Sequence, residues 1–209
     1  MLGVQVGSSP HLQEAPMSTE RADAARNRAV LIATAREMLA ELGADKITMD
    51  ALAERSGLGK GTVFRRFGTR SGIFMALLSD GERAFQKRVL AGPPPLGPGA
   101  EPLDRLIAFG QERLRFLTEN REIARAALDG RTAVPFGPPA LMTQRHLRML
   151  LDQLGVDAAD VEILAMQLTA ALDVPLLLYT APEAGDHPDE TFEERLARGW
   201  KDLVSRLSP

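Results

Sequence analysis

Apolar side chains recur at helical spacing along most of this 209-residue chain, and no segment shows the alternation of a half-buried strand. The pattern predicts an all-α fold. The Pro-rich stretch 92–99 is expected to be a loop, because Pro lacks the amide hydrogen that a helix needs. The expected helices cover about 24–42, 48–56, 59–67, 71–90, 103–117, 121–128, 140–154, 157–179 and 191–207.

The composition excludes several classes of protein. There is no Cys, so a disulfide scaffold, thiolate catalysis and a cysteine-ligated metal are ruled out. The three His (His11, His146 and His187) are scattered, and we therefore expect no metal and no cofactor. With 44% apolar residues the chain can bury a core, and the absence of Cys fits a reducing cytoplasm, where we expect the protein to act.

Neither an export signal nor a membrane span is expected. The first residues lack a basic segment and a long apolar run, so residues 1–23 are interpreted as a flexible tail, with Met17 as a candidate natural start. The most apolar window, 161–179, contains Glu162 and Asp173. An Asp in mid-span costs about 2.5–3.5 kcal/mol on insertion scales, so no membrane partner is predicted.

A short positive island interrupts an acidic chain. Residues 1–70 carry ten Lys and Arg against eight Asp and Glu, whereas the remainder carries fifteen against twenty. From Arg55 to Arg70 there are five cations and no acidic residue. Such an island is either a solvated surface or a face that contacts a polyanion.

The same island overlaps a predicted helix–turn–helix. Thr48 is placed to cap the first short helix, Ala53 is small where two helices would cross, and Gly57 can take the left-handed conformation that ends a helix. The second helix would expose Lys60, Thr62, Arg65 and Arg66. A helix of this kind fits the major groove of B-DNA. A generic helical hairpin is the alternative, and the basic run favours DNA.

Two other interpretations of the Gly-rich centre do not fit. A phosphate-binding loop would need Gly at position 54, which is Glu, and a hydroxyl residue at position 61, which is Gly. The dinucleotide pattern would need Gly where Thr62 stands. The chain also lacks the Gly-x-Ser-x-Gly and His-Glu-x-x-His motifs, so it is not expected to be an enzyme.

From Asn27 to about Val89 the sequence resembles the DNA-binding region of TetR/AcrR-type transcriptional regulators. The matching segments read AREMLAELG at 35–43, ITMDALA at 47–53 and LGKGTVFRRFGTRSGIF at 58–74. The resemblance implies that Phe64 stands where the family usually has Tyr, and that Arg66 replaces a common His or Tyr. The residues that it implies at the DNA are Thr48, Lys60, Gly61, Thr62, Phe64, Arg65, Arg66, Thr69 and Arg70.

The C-terminal part is expected to form a dimer. The helix at 161–179 is apolar on two sides, and a second subunit could cover one of them. The resemblance implies a homodimer, held together by a four-helix bundle that the last two helices of each subunit form. It also implies that this homodimer binds double-stranded operator DNA. The residues predicted at this interface are Leu164, Leu168, Leu172, Leu196, Trp200 and Leu203.

The resemblance also implies a small-molecule pocket among the middle helices. Met or Phe at helical spacing is more often ordinary core, and His146 could simply be exposed. The predicted pocket residues are Phe109, Phe116, Phe136, Met142, His146 and Met149.

The sequence thus predicts a tail at 1–23, a helix–turn–helix DNA-binding domain at 24–70 and a helical effector-binding and dimerisation domain at 71–209. The expected function is a DNA-binding transcriptional regulator, a repressor released by a small-molecule effector. One alternative is a helical DNA-binding or interaction protein without an effector. Another is an enzyme with a vestigial helix–turn–helix, which would need His146 beside a carboxylate such as Asp173.

Overall fold

The computed structural model describes residues 17–128, 138–177 and 190–207, and in those ranges every regular element is helical. The predicted all-α class is confirmed. A single-turn 3-10 helix covers Ala44–Lys46. The α-helices of the described ranges are α1 Met17–Leu42, α2 Met49–Ser56, α3 Lys60–Phe67, α4 Arg70–Ala91, α5 Pro102–Glu119, α6 Arg121–Leu128, α7 Pro138–Leu154, α8 Val161–Leu177 and α9 Phe192–Ser205.

Two helix starts differ from the prediction. Helix α1 begins at Met17, so 17–23 are helical and not part of a tail; residues 1–16 lie outside the described ranges. Helix α8 begins after Asp160, whose carboxylate accepts hydrogen bonds from the amides of Glu162 and Ile163 at 3.0 and 3.1 Å. The predicted cap at Asp157 is wrong, because Asp160 is the carboxylate that reaches the free amides of the first turn.

The N-terminal core is built by α1, α2 and α3 together with the first half of α4 and with α6. Leu31, Val63 and Phe74 are fully buried in it. Helix α6 contributes Ile123 and Ala127 from much later in the chain. The N-terminal core is therefore closed by helices that the sequence assigned to the C-terminal domain.

The C-terminal core joins the second half of α4 to α5, α7, α8 and α9. Phe85 on α4 packs on Phe109 and Phe116 of α5, with ring centroids 5.5 and 5.8 Å apart. Helix α9 lies along α5, and α8 lies along α7. Helix α4 thus belongs to both cores, and the two meet along it.

The Pro-rich segment between α4 and α5 is a non-helical connection, as predicted. None of the helices in the described ranges is long and apolar enough to cross a membrane.

Candidate DNA-binding site

Local signals in the sequence set the angle between α2 and α3. The hydroxyl of Thr48 accepts the amide of Ala51 at 3.1 Å and caps α2. Gly57 ends α2 with φ of 69°, in the left-handed region that favours glycine. Ala53 is buried, and its small side chain lets the two helices pack closely. This arrangement is the predicted helix–turn–helix.

Helix α3 has one buried face and one exposed cationic face. Val63 and Phe67 point into the N-terminal core. On the other side Thr62 is half-buried, and half of the Phe64 side chain is exposed. Lys60, Gly61, Arg65 and Arg66 are also exposed. The predicted contact residues of α3 therefore share one accessible surface.

The cations of this surface are lightly held. Lys60 pairs with Asp50 at 2.8 Å, but both side chains are about two-thirds exposed, and exposed pairs contribute about 0–1 kcal/mol. Arg65 donates to the hydroxyl of Thr62 at 3.3 Å. Within the described ranges no carboxylate lies within salt-bridge distance of Arg65 or Arg66. These side chains can turn towards a phosphate or a base edge without breaking a strong interaction.

The start of α3 is unobstructed. Gly59 precedes the helix without a side-chain cap, so its first amides are not bonded by a capping side chain. A Cβ added at Gly61 would meet nothing within 4 Å. Amides at a helix N-terminus attract phosphate, and glycine lets a backbone come close. The geometry suits direct approach of a DNA strand to the first turn.

Thr69 and Gly72 fix the junction between α3 and α4. The hydroxyl of Thr69 accepts the Gly72 amide at 3.1 Å and shares a hydrogen bond of 2.9 Å with Ser71. Any Cβ at Gly72 would collide with the carbonyl of Phe67. No local sequence signal indicated this role of Gly72, because it depends on a carbonyl five residues earlier that only the folded junction brings close.

Arg70 lies elsewhere than its implied role at a phosphate suggests. Its guanidinium donates to the carbonyls of Ile47 at 2.8 Å and of Ala44 at 2.7 Å. It also lies over the ring of Phe74, 5.0 Å from the centroid. The half-buried side chain holds the 3-10 turn against α4, and its charge is directed into the domain.

Comparison with known proteins identifies this architecture. Residues 31–77 match the family model of bacterial regulatory proteins of the tetR family. The fold is similar to that of a TetR-family transcriptional regulator from Pectobacterium atrosepticum, at 25% identity and a TM-score of 0.66, with 90% of this chain and 95% of that chain covered. Residues 31–77 form a domain of the tetR family of bacterial regulatory proteins. Proteins of the TetR family are DNA-binding transcriptional regulators.

Two further solved structures share the fold. A TetR/AcrR-family regulator from Thermobifida fusca YX-ER1 is 16% identical, with a TM-score of 0.61. The match covers 86% of this chain and 96% of that one. A transcriptional regulator from Rhodococcus sp. Rha1 is 20% identical, with a TM-score of 0.59. The match covers 86% of this chain and 95% of that one. The comparison with curated protein sequences finds no match.

The residues predicted to line an effector pocket are only partly together. Phe109 and Phe116 are buried, and the ring of His146 lies 4.8 Å from that of Phe109. His146 is therefore not the exposed residue that its neighbouring arginines suggested. Met142 is half-buried and Met149 is 37% exposed. Phe136 lies outside the described ranges.

Several residues predicted at the dimer interface are already buried within one subunit. Leu168, Leu172 and Trp200 are buried without a partner chain. The Trp200 indole donates to the carbonyl of Leu106 at 3.0 Å, and a Cβ at Gly110 would overlap its ring. Trp200 thus packs against α5 at Gly110 within its own subunit, and its assignment to the interface stays a prediction.

The outward apolar positions of α8 and α9 are different residues. Ile163 and Met166 are 45% and 50% exposed on α8, and Leu203 is 42% exposed on α9. Leu164 and Leu196 are half-buried. Of the six predicted interface residues, Leu203 is the one that the structure leaves exposed.

A buried ionic cluster joins three helices, and no local sequence signal indicated it. Arg113 on α5 pairs with Glu82 on α4 and, at 3.2 Å, with Asp173 on α8. Burial acts to lower the pKa of the Arg113 guanidinium, but the carboxylates of Asp173 and Glu82 outweigh it and raise the pKa above its usual value. Asp173 is engaged by Arg113, which removes the support for an acid–base pair with His146.

Proposed function

We propose that this TetR-family chain is a homodimeric repressor that inserts α3 of each subunit into operator DNA and leaves the operator when a small molecule binds in the C-terminal core. The exposed cationic face of α3 is the observation that carries the proposal. The contact residues are Thr48, Lys60, Gly61, Thr62, Phe64, Arg65, Arg66 and Thr69. Arg70 acts as a positioning residue through its two bonds to backbone carbonyls.

The exposed apolar positions support a dimer through α8 and α9. Ile163, Met166 and Leu203 are large apolar side chains whose exposure within one subunit would be relieved by a second copy. A two-fold dimer would place its recognition helices in successive major grooves, about 34–36 Å apart.

The DNA-binding step is tested on the intact protein. An operator is first selected from a pool of random duplex DNA, and its affinity is then measured by fluorescence anisotropy at several salt concentrations. Arg66→Ala should weaken binding and reduce the log–log salt slope by about 0.9 per lost phosphate contact. Arg36→Ala, which removes an exposed arginine of α1 paired with Asp80, should leave affinity and slope unchanged.

Arg70→Ala separates positioning from phosphate contact in the same assay. The log–log salt slope of Arg70→Ala should equal that of the wild type. Its free energy of unfolding should fall by about 1.5–3 kcal/mol, because two charged hydrogen bonds are lost. A wild-type slope for Arg66→Ala, or failure to select any operator, would contradict the proposed site on α3.

The dimer is tested by sedimentation velocity. Met166→Arg should convert the dimer to a monomer, because it places a charge in an apolar interface. Leu42→Arg, at an equally exposed position of α1, should leave the dimer intact. A wild-type protein that sediments as a monomer at micromolar concentration would refute the dimer.

A further inference from the structure

Two nitrogen atoms in the C-terminal core are buried and unpaired. They are Nε of Arg105 on α5 and Nε2 of His146 on α7, and neither has a hydrogen-bond partner among the described residues. The His146 side chain is more than nine-tenths buried. These are the atoms of this kind that the described ranges contain.

Unpaired buried polar atoms are unfavourable for folding. Each costs about 1–3 kcal/mol, and more than nine in ten buried polar groups in native proteins have a partner. Two of them within one core, on neighbouring helices, indicate that folding stability has been given up for another purpose.

The neighbouring arginine shows what is missing. Arg105, Phe109 and Arg113 follow one another at four-residue spacing and so lie along one side of α5. Arg113 has two carboxylates, from Glu82 and Asp173. In the described part of the chain no carboxylate lies within 4.0 Å of Arg105. Arg113 is therefore matched within the protein, whereas the half-buried Arg105 has a buried Nε and no carboxylate partner among the described residues.

The charge of the pair selects the class of ligand. Burial, and then the charge of Arg105, lower the pKa of His146 to about 4, so the imidazole is neutral at pH 7. A neutral imidazole and one guanidinium together balance a single negative charge. A monocarboxylate fits this balance, whereas a phosphate dianion would leave excess negative charge in the core. The ring of Phe109, against His146, offers an apolar surface to the rest of such a molecule.

We propose that Arg105 and His146 hold the carboxylate of a small apolar monocarboxylic acid, with Arg105 Nε and His146 Nε2 as the hydrogen-bonding atoms. This inference rests on the proposed function, since it names the chemical class of the effector. It adds Arg105, which the sequence analysis did not include, to the binding residues. Guanidinium groups bind carboxylates through short, charge-assisted hydrogen bonds, and water exclusion strengthens those bonds.

The test uses the intact protein and a panel of probes: hexanoate, octanoate, benzoate and phenylacetate, each beside its primary amide. Binding is measured by isothermal titration calorimetry. The wild type should bind at least one acid more tightly than its amide. Arg105→Gln should weaken that acid at least tenfold and abolish the preference over the amide. Arg145→Gln, which removes an exposed arginine of the same helix as His146, should behave as the wild type.

A second measurement is made without ligand. Arg105→Gln removes a buried, unpaired part of a charged group, so its urea midpoint should equal or exceed that of the wild type. The proposal is overturned if no acid binds, if the amides bind equally well, or if Arg105→Gln keeps the preference for the acid. It is also overturned if the variant is strongly destabilised, because Arg105 would then have a structural partner.

The outcome is separable from that of the proposed function. If the selected operator binds the protein but no acid does, the carboxylate site fails and DNA binding stands. If an acid binds through Arg105 without lowering operator affinity, the site stands and effector-controlled release fails.

Discussion

The two cores of this protein differ in what they bury. Thr34 is the buried polar residue of the N-terminal core within the described ranges, whereas the C-terminal core buries Glu82, Arg113, Thr143, His146 and Thr169. A close-packed apolar core has few voids, so its side chains have few alternative arrangements. Buried charge is stable only while its partners remain in place. The N-terminal core is thus suited to hold α3 rigidly, and the C-terminal core to respond to a ligand.

The same contrast separates the arginines. Near the DNA face Arg66 is exposed, and Arg55 is paired at the surface with Glu41 at 2.6 Å. Arg113, by comparison, is almost completely enclosed. Removing Arg66 should therefore affect DNA binding, whereas removing Arg113 should affect folding.

The largest effect is expected from breaking the buried ionic cluster. Arg113→Ala leaves Glu82 and Asp173 without their cation and should lower the free energy of unfolding by about 3–5 kcal/mol. The matched variant Arg36→Ala removes an exposed pair and should change it by less than about 1 kcal/mol. Urea denaturation measures both. Equal effects would show that the cluster does not hold the C-terminal core together.

The pH dependence of stability should also arise in the C-terminal core. His146 has a folded-state pKa of about 4, below its ordinary value of 6.5, so the unfolded chain binds this proton first as pH falls. Stability should therefore be lost between pH 6.5 and 4, by up to about 3 kcal/mol from this residue. The difference in unfolding free energy between wild type and His146→Gln, followed over this range, isolates the contribution. A constant difference would mean that His146 titrates normally.

A Gly-to-Ala pair gives the smallest and most specific comparison. In Gly110→Ala the new methyl group meets the Trp200 ring, and overpacking of this kind lowers stability by about 1–3 kcal/mol. Gly61→Ala adds its methyl in open space, so the higher helix propensity of Ala should raise stability by about 0.5–1 kcal/mol. Thermal unfolding reports both changes, and only Gly61→Ala should weaken binding to the selected operator. Loss of stability in both would contradict the assigned geometry of α3.

The sequence predicted the parts of this molecule that depend on neighbouring residues. The cap at Thr48 and the turn at Gly57 each depend on residues a few positions apart. Helical periodicity likewise located the helices, and a short motif located the DNA-binding face. Local chemistry was sufficient for these features.

Local sequence patterns did not predict the contacts that join distant segments of the chain. A cation at the start of a helix looks the same whether it faces phosphate or, as Arg70 does, carbonyls more than twenty residues earlier. An apolar stripe looks the same whether it faces another subunit or, as Trp200 does, a glycine ninety residues earlier. The cluster of Glu82, Arg113 and Asp173 spans three helices in the same way.

The packing of α6 bears on how this protein could be divided. Because Ile123 and Ala127 complete the N-terminal core, a fragment that stops at residue 70 would leave Leu31, Ile47 and Leu52 with part of their cover removed, along with the first turns of α4. A DNA-binding fragment with a complete N-terminal core would have to extend to Leu128 and would therefore include α5. The smallest such fragment is more than half of the protein. A fusion of this fragment to another regulator would also transfer Arg105 and Arg113.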